Sequence, residues 1–381
     1  MGIKDFFSLI KSAFTEVEFD QNSGVILQNE DADPRYIKKI RLWNLIEPIT
    51  VYGLIHLIMW TSWLDMSVWW MWAGFGALLL WSLIFSPIIH YKYEKDVFLT
   101  EEQKARGVWF YFFECRGFGS PKRYYFSVDG DPPLLRKHSK EILALIAFLD
   151  LVFVCAAIVF DQEITDILTP IIGTNLVLKV LAEIIILVVL NAILVFLAFP
   201  VMLRLDNFVD SIKYLIAFII VALPMIVLIN VIFIIFEPFL REALADYPYM
   251  SLRGDYALQR LLSFNIIDFG GQWAGYIFWG WLQQLLFLSI FSVQFCRAFD
   301  IEKSKKQLFA ACLLSASFFG LIHIPNFWLG LFTFISGFFW ALYFLQRRNL
   351  FSMGVVHGFG GTMFNKLIPI NFSVGPSQVV I

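Results

Sequence analysis

The chain has 381 residues, of which 59% are hydrophobic, 18% aromatic and only 16% charged, with a net charge of −2. Soluble domains are about half apolar and about a quarter charged, so this composition excludes an ordinary water-soluble protein and points to a polytopic membrane protein. The near-zero net charge provides no general field for nucleic acid or acidic substrates, and four scattered cysteines (Cys115, Cys155, Cys296, Cys312) with no CxxC pair argue against a disulfide framework or a structural zinc site.

Residues 1–42 read as a cytoplasmic N-terminal segment. Their start, MGIKDFFSLIKSAF, lacks the continuous apolar core of a signal peptide, and Phe6 stands where myristoylation needs Ser or Thr. Phe6, Ile10 and Phe14 recur at helical spacing, which suits either a helix lying on the membrane or a solvated tail. Two apolar spans follow at 43–64 and 67–90, each long enough to cross a bilayer. Residues 91–140 form a cytoplasmic loop or small subdomain. Its turn signals GFGSP and DGDPP and aromatic runs VWFYFF and RYYF fit either short strands or aromatic anchoring at the interface.

Segment 141–236 holds three spans, at 141–161, 177–203 and 212–236, and the second carries Lys179 and Glu183 at pairing distance on one helix face. Residues 237–270 form an extracytoplasmic connection able to lie as a helix on the outer surface. Residues 271–381 hold four more spans, at 271–296, 307–324, 327–346 and 350–368, and a short tail. The expected fold is an all-α polytopic membrane protein of about nine transmembrane helices, with no internal repeat of 20–50 residues.

Loop charges give an orientation. Arg35, Lys38, Lys39 and Arg41 precede the first span, and Arg297, Lys303, Lys305 and Lys306 follow the sixth. Loops 65–66, 162–175 and 325–326 on the opposite side hold no Lys or Arg. The positive-inside rule then sets the N-terminus in the cytoplasm and the C-terminus outside.

Ionisable residues inside spans are costly and are functional candidates by default. Glu47, beside Pro48 near a span end, is expected to snorkel or cap. His56 and Asp150 are expected to make helix–helix hydrogen bonds.

The last quarter is denser in polar residues. Gln283 and Gln284 lie side by side in WGWLQQLLFLSIF, where an unpaired buried amide costs several kcal/mol. FGLIHIPN places His323 at the end of an apolar run, followed by Pro325 and Asn326. FSMGVVHGFGGTMF places His357 inside the last span, with Gly358, Gly360 and Gly361 permitting close helix contact. Short connections make these helices neighbours, so their polar faces can converge on one pocket. By span position, His323 falls near the outer face and Gln283 and His357 fall deeper.

Residues 271–365 resemble the CAAX-protease and bacteriocin-processing (CPBP, or Abi) family of intramembrane endopeptidases, whose motifs EExxxR, FxxxH and HxxxN sit on consecutive transmembrane helices. Phe319 to His323 match the second motif. His357 matches the third, with Gly361 in place of its Asn. Gln283 to Leu288 align with the first, so both carboxylates and the Arg are replaced. A bacterial branch with a Gln pair and His-x-Pro-Asn is the nearer likeness.

The resemblance implies a CPBP-like core in the C-terminal four helices, a peptidase site of Gln283, Gln284, His323, His357 and Asn326, and a membrane-associated or lipid-modified peptide or protein as substrate. It implies a bacterial cell-membrane location, no cofactor and no nucleic-acid partner. In the family the first Glu activates water, the second-motif His assists, and the third-motif His and Asn stabilise the oxyanion. Here a neutral amide cannot take a proton, so a histidine would serve as base, with Asn326 in place of the missing amide donor. The other reading is a degenerate member that binds a membrane peptide or lipid without cutting it, or acts as an immunity-type protein.

A metal site is not expected, since the final spans offer two histidines and no neighbouring carboxylate, and HExxH is absent. Nor is a Ser336–His357 dyad expected, because Phe334 stands where a Gly-x-Ser pattern needs glycine.

Overall fold

Uninterrupted apolar runs with few breakers fold as helices throughout the computed structural model, which describes residues 33–63, 68–99, 101–110, 208–247, 252–299, 305–347 and 349–370, together with Ser8 and Met250. The expected surface helix around Phe6, the spans at 141–161 and 177–203, most of loop 91–140, and Asp150 lie outside the described residues. Among those described there is no strand, only one antiparallel bridge between Leu252 and Ile370.

Helix α1 (Pro34–Trp63) starts well before the span expected at 43. Proline at its first position is preorganised for a helix, and the Asp33 carboxylate accepts from Arg35 N at 2.8 Å, as a capping residue does. The cationic cluster 35–41 therefore rides on its first turns. Next come α2 (Val68–Leu80), a π-helical turn (Trp81–Phe85) and α3 (Ser86–Phe98), then short helices α4 (Glu101–Ala105) and α5 (Gly107–Phe110). The region just after 90 is thus helical, beyond the expected span end.

Helix α6 (Phe208–Ala243) contains the most hydropathic of the three membrane-length segments among the described residues, and the connection after it holds the six-residue α7 (Ala257–Leu262). The remaining chain forms α8 (Ile266–Gln284), a π-helical segment (Leu285–Ser292), α9 (Val293–Phe299), α10 (Lys305–Leu321), α11 (Phe327–Arg347) and α12 (Leu350–Leu367).

Three helices are long and apolar enough to cross a membrane among the described residues: Ile212–Ala243, Ile266–Phe299 and Phe327–Leu345. On α6, Leu228 and Ile235 are 60% and 64% exposed. A stripe of such side chains is unstable in water and stable in hydrocarbon. The protein is an integral membrane protein.

The core sits where α8 packs on α12 and α10 packs on α11, with α6 also against α12 and α9 against α1. The α8–α12 pair is close because of glycine. A Cβ on Gly354 would lie 1.7 Å from the Trp281 ring, and one on Gly358 would lie 2.9 Å from the backbone of Ile277. Trp281 Nε1 then reaches over to donate to the Phe351 carbonyl at 3.2 Å. Gly360, expected to serve the same contact, meets nothing within 4 Å.

Glu47 departs from expectation. It is buried, and its carboxylate accepts from Ser86 Oγ, from Gln294 Nε2 and from His90 Nε2, the last at 2.8 Å. His90 Nδ1 lies 2.7 Å from Glu94, which also accepts from Asn44 at 2.8 Å and from Arg297 at 3.3 Å. Partners from α3 and α9 let a charge stay in the interior, so snorkelling is unnecessary. His56 bonds its own helix, through Nδ1 to the Tyr52 carbonyl at 3.1 Å, rather than a neighbouring one.

Candidate functional site

Helix α10 ends at Leu321, and a turn over 322–325 with a cis Ile324–Pro325 bond leads to Asn326. Pro325 lacks an N–H and cannot continue the helix. His323 is left in this turn, only 4% exposed. Its Nδ1 lies 2.8 Å from the Phe319 carbonyl. A carbonyl only accepts, so the neutral ring carries its proton on Nδ1 and leaves Nε2 as an acceptor. Thr333 Oγ1, 3.2 Å from the same Nδ1, donates its own hydrogen to the Leu329 carbonyl at 2.7 Å and so is available to accept.

His357 has the opposite tautomer. Gln284 Nε2 donates to His357 Nδ1 at 2.6 Å, which assigns the ring proton to Nε2. Its imidazole is held by aromatic rings: Trp340 stacks at 5.0 Å, and Phe319 and Tyr276 stand 5.7 and 5.9 Å away. Phe319 also meets His323 edge-on at 5.4 Å, so one phenyl ring touches both histidines. Span positions set the two histidines at different depths, yet both line one cavity.

Both histidines line a cavity of about 70 Å³, with Thr333, Ser336 and Trp340 of α11, Tyr276 of α8 and Phe364 of α12 also in its wall. That volume holds a few waters and no peptide segment. Neither Nε2 has a hydrogen-bond partner among the described residues, so an acceptor and a donor are presented to one small space.

Gln283, one position on, points away from Gln284 as helix geometry requires. It is half-buried, and its Oε1 has no partner among the described residues. Asn326 is buried, and its Oδ1 accepts from Leu329 N at 3.1 Å, capping α11. The structure thus brings His323 and His357 into one cavity wall and holds Gln284 against His357 from behind it; Gln283 and Asn326 are not in that wall either. Ser336 does line it, but its hydroxyl donates to the Phe332 carbonyl at 2.8 Å.

Sequence reasoning missed Tyr276, Thr333 and Trp340. A signal existed: Leu329, Thr333, Ser336 and Trp340 recur at the spacing of one helix face, and Tyr276, Gly280 and Gln284 do the same on α8. The π-helical segment directly after Gln284 had none. There the Phe287 carbonyl accepts from Ser292 Oγ at 2.9 Å and Ser315 Oγ at 2.8 Å, stitching α10 to the helix that carries Gln284. Such wide turns recur at functional sites.

Among the described residues no group of three His, Cys, Asp or Glu side chains is placed to hold a metal ion. Cys296 and Cys312 are buried and not joined in a disulfide.

No curated protein and no solved structure matches the chain. The family model described as type II CAAX prenyl endopeptidase Rce1-like matches residues 273–363, which run from the first half of α8 to the last turns of α12 and contain both histidines, both glutamines and Asn326. Both cavity histidines and the helices that carry them therefore fall in the stretch of this chain that is similar to the type II CAAX prenyl endopeptidases.

Proposed function

We propose that the cavity hydrolyses a peptide bond in a membrane-associated or lipid-modified protein or peptide. The observation that carries this reading is the pair of opposite histidine tautomers on one cavity, fixed by the Phe319 carbonyl and by Gln284. His323 Nε2 takes a proton from water as the oxygen adds to the scissile carbonyl carbon. His357 Nε2–H donates to the resulting oxyanion. The proton on His323 then passes to the leaving nitrogen as the C–N bond breaks, giving a carboxylic acid and an amine. Gln284 positions His357, and Gln283, with its unpartnered oxygen, is assigned to hold water or a substrate N–H. Asn326 supports the turn that carries His323. At about 70 Å³ the cavity holds water and must widen to admit a peptide segment.

The loop charges support a cytoplasmic N-terminus and an extracytoplasmic C-terminus, and the resemblance to a bacterial branch with a Gln pair supports a bacterial cell membrane as the setting. A second reading is favoured by one observation: among the described residues no carboxylate lines the cavity. On that reading the pocket binds a membrane peptide or lipid chain without cutting it.

Quantitative mass spectrometry of protein termini in membranes from cells expressing wild type, His323→Ala or Gln284→Ala separates the two. Neo-termini present in wild type and lost in both variants support proteolysis. Unchanged termini with folded, abundant protein favour binding, and crosslinking from the wall around His357 would then identify the occupant.

A further inference from the structure

The connection between α6 and α8 meets the end of α12 in a polar cleft of about 350 Å³, far larger than the histidine cavity. Arg253, Arg260 and Lys366 line it against the carboxylates of Asp255 and Asp268, an excess of one positive charge. Lys366 pairs with Asp268, and Arg260 pairs with Asp255 at 2.9 Å. Arg253 makes no ion pair among the described residues. One of its terminal nitrogens donates to Asn365 Oδ1 at 3.0 Å, and its other guanidinium donors have no partner among the described residues. Arg260 Nε is buried with no hydrogen-bond partner, although the same guanidinium donates to the Asn365 carbonyl at 2.7 Å. Burial and the like charge of Arg260 make the Arg253 cation less favourable than it is in water. Two guanidinium groups that share a cleft and hold spare donors form a fork for a tetrahedral oxyanion.

The position of the cleft selects the source of that oxyanion. Arg253 and Arg260 lie between the span that ends at Ala243 and the span that begins at Ile266, and Asp268 is in the first turn of the latter. The cleft is therefore at the boundary where these helices leave hydrocarbon. Beside it Leu262 and Ile267 are 78% and 82% exposed. Apolar side chains next to cations in this arrangement match the junction of acyl chains and headgroups.

We propose that this cleft binds the phosphate of an anionic phospholipid, gripped by Arg253 and Arg260, with Leu262 and Ile267 against its acyl chains. The proposal does not depend on whether the histidine cavity is catalytic.

The test uses the full-length protein in neutral detergent. Native mass spectrometry reads bound lipid while phosphatidylglycerol, phosphatidylcholine or inorganic phosphate is titrated. Wild type should retain one phosphatidylglycerol with about tenfold preference over phosphatidylcholine, and Arg253→Gln should lose about tenfold in that binding. Should Arg253→Gln fail to fold, Lys366→Gln at the cleft rim carries the same expectation with a smaller loss. Equal retention of the two lipids, or retention unchanged in a folded Arg253→Gln protein, overturns the proposal. Displacement of the lipid by inorganic phosphate at equal concentration would assign the cleft to free phosphate and overturn the lipid source.

Discussion

Gln284 Nε2 donates to His357 Nδ1 at 2.6 Å, and this one bond decides what the other edge of the imidazole offers the cavity. Without it the ring exchanges tautomers and loses a fixed donor. Gln284→Ala should lower cleavage about tenfold to a hundredfold, less than the ~10²–10³ lost on removing a donor outright. Gln284→Glu should retain activity, because a carboxylate there pairs with a doubly protonated ring whose Nε2–H still faces the cavity. The ¹⁵N shifts of His357 are the deciding readout. A protonated Nδ1 in wild type would sink the assignment even if Gln284→Ala were inactive.

His323 and Asn326 occupy the same turn and separate by chemistry. Replacing His323 with Gln removes the base and should cost about 10²- to 10⁴-fold in cleavage while the protein stays folded. Asn326→Ala removes the cap of α11 and should cost about 1 kcal/mol. Asn326→Asp keeps a capping oxygen and loses the amide donor. It should therefore retain both melting temperature and cleavage, and a folded Asn326→Asp protein without activity would return Asn326 to the oxyanion site.

The helical class, the membrane setting and the convergence of His323, His357 and a glutamine on one pocket were legible in the sequence, because hydropathy and helix period are local signals. Which glutamine faces His357 was not, since adjacent residues differ by about 100° around the axis and only packing sets that rotation. The tautomers depend on the Phe319 carbonyl and on Gln284, which are contacts between residues with no common sequence pattern. Glu47 was misjudged for the same reason: its partners Ser86, His90 and Gln294 come from other helices. His56, whose partner is four residues away, was expected to reach outward and instead bonds within its helix.

The glycines of α12 give a paired test of helix approach. Gly354→Ala forces a methyl into the Trp281 ring, whose indole N–H donates to the Phe351 carbonyl at 3.2 Å. Overpacking of this kind costs about 1–3 kcal/mol, and folded yield in detergent should fall sharply. Gly360→Ala meets open space and should leave yield unchanged or raised, by up to about 1 kcal/mol of helix propensity. Equal yields from the two variants would contradict the close α8–α12 packing.

Arg297 and Glu94 are both fully buried, 3.3 Å apart, and join α9, inside the matched stretch, to α3 outside it. Removing one partner leaves the other charge stranded in the interior, at about 3–5 kcal/mol. Arg297→Met should therefore lower the melting temperature strongly. The double variant Arg297→Met with Glu94→Gln should recover part of the loss, because the remaining amide needs only the Asn44 and His90 contacts. A double-mutant cycle read by thermal unfolding in detergent measures the coupling. Additive losses would mean that the two side chains do not act as a pair, and the polar link between the N-terminal helices and the core would then rest on the Glu47–Gln294 contact.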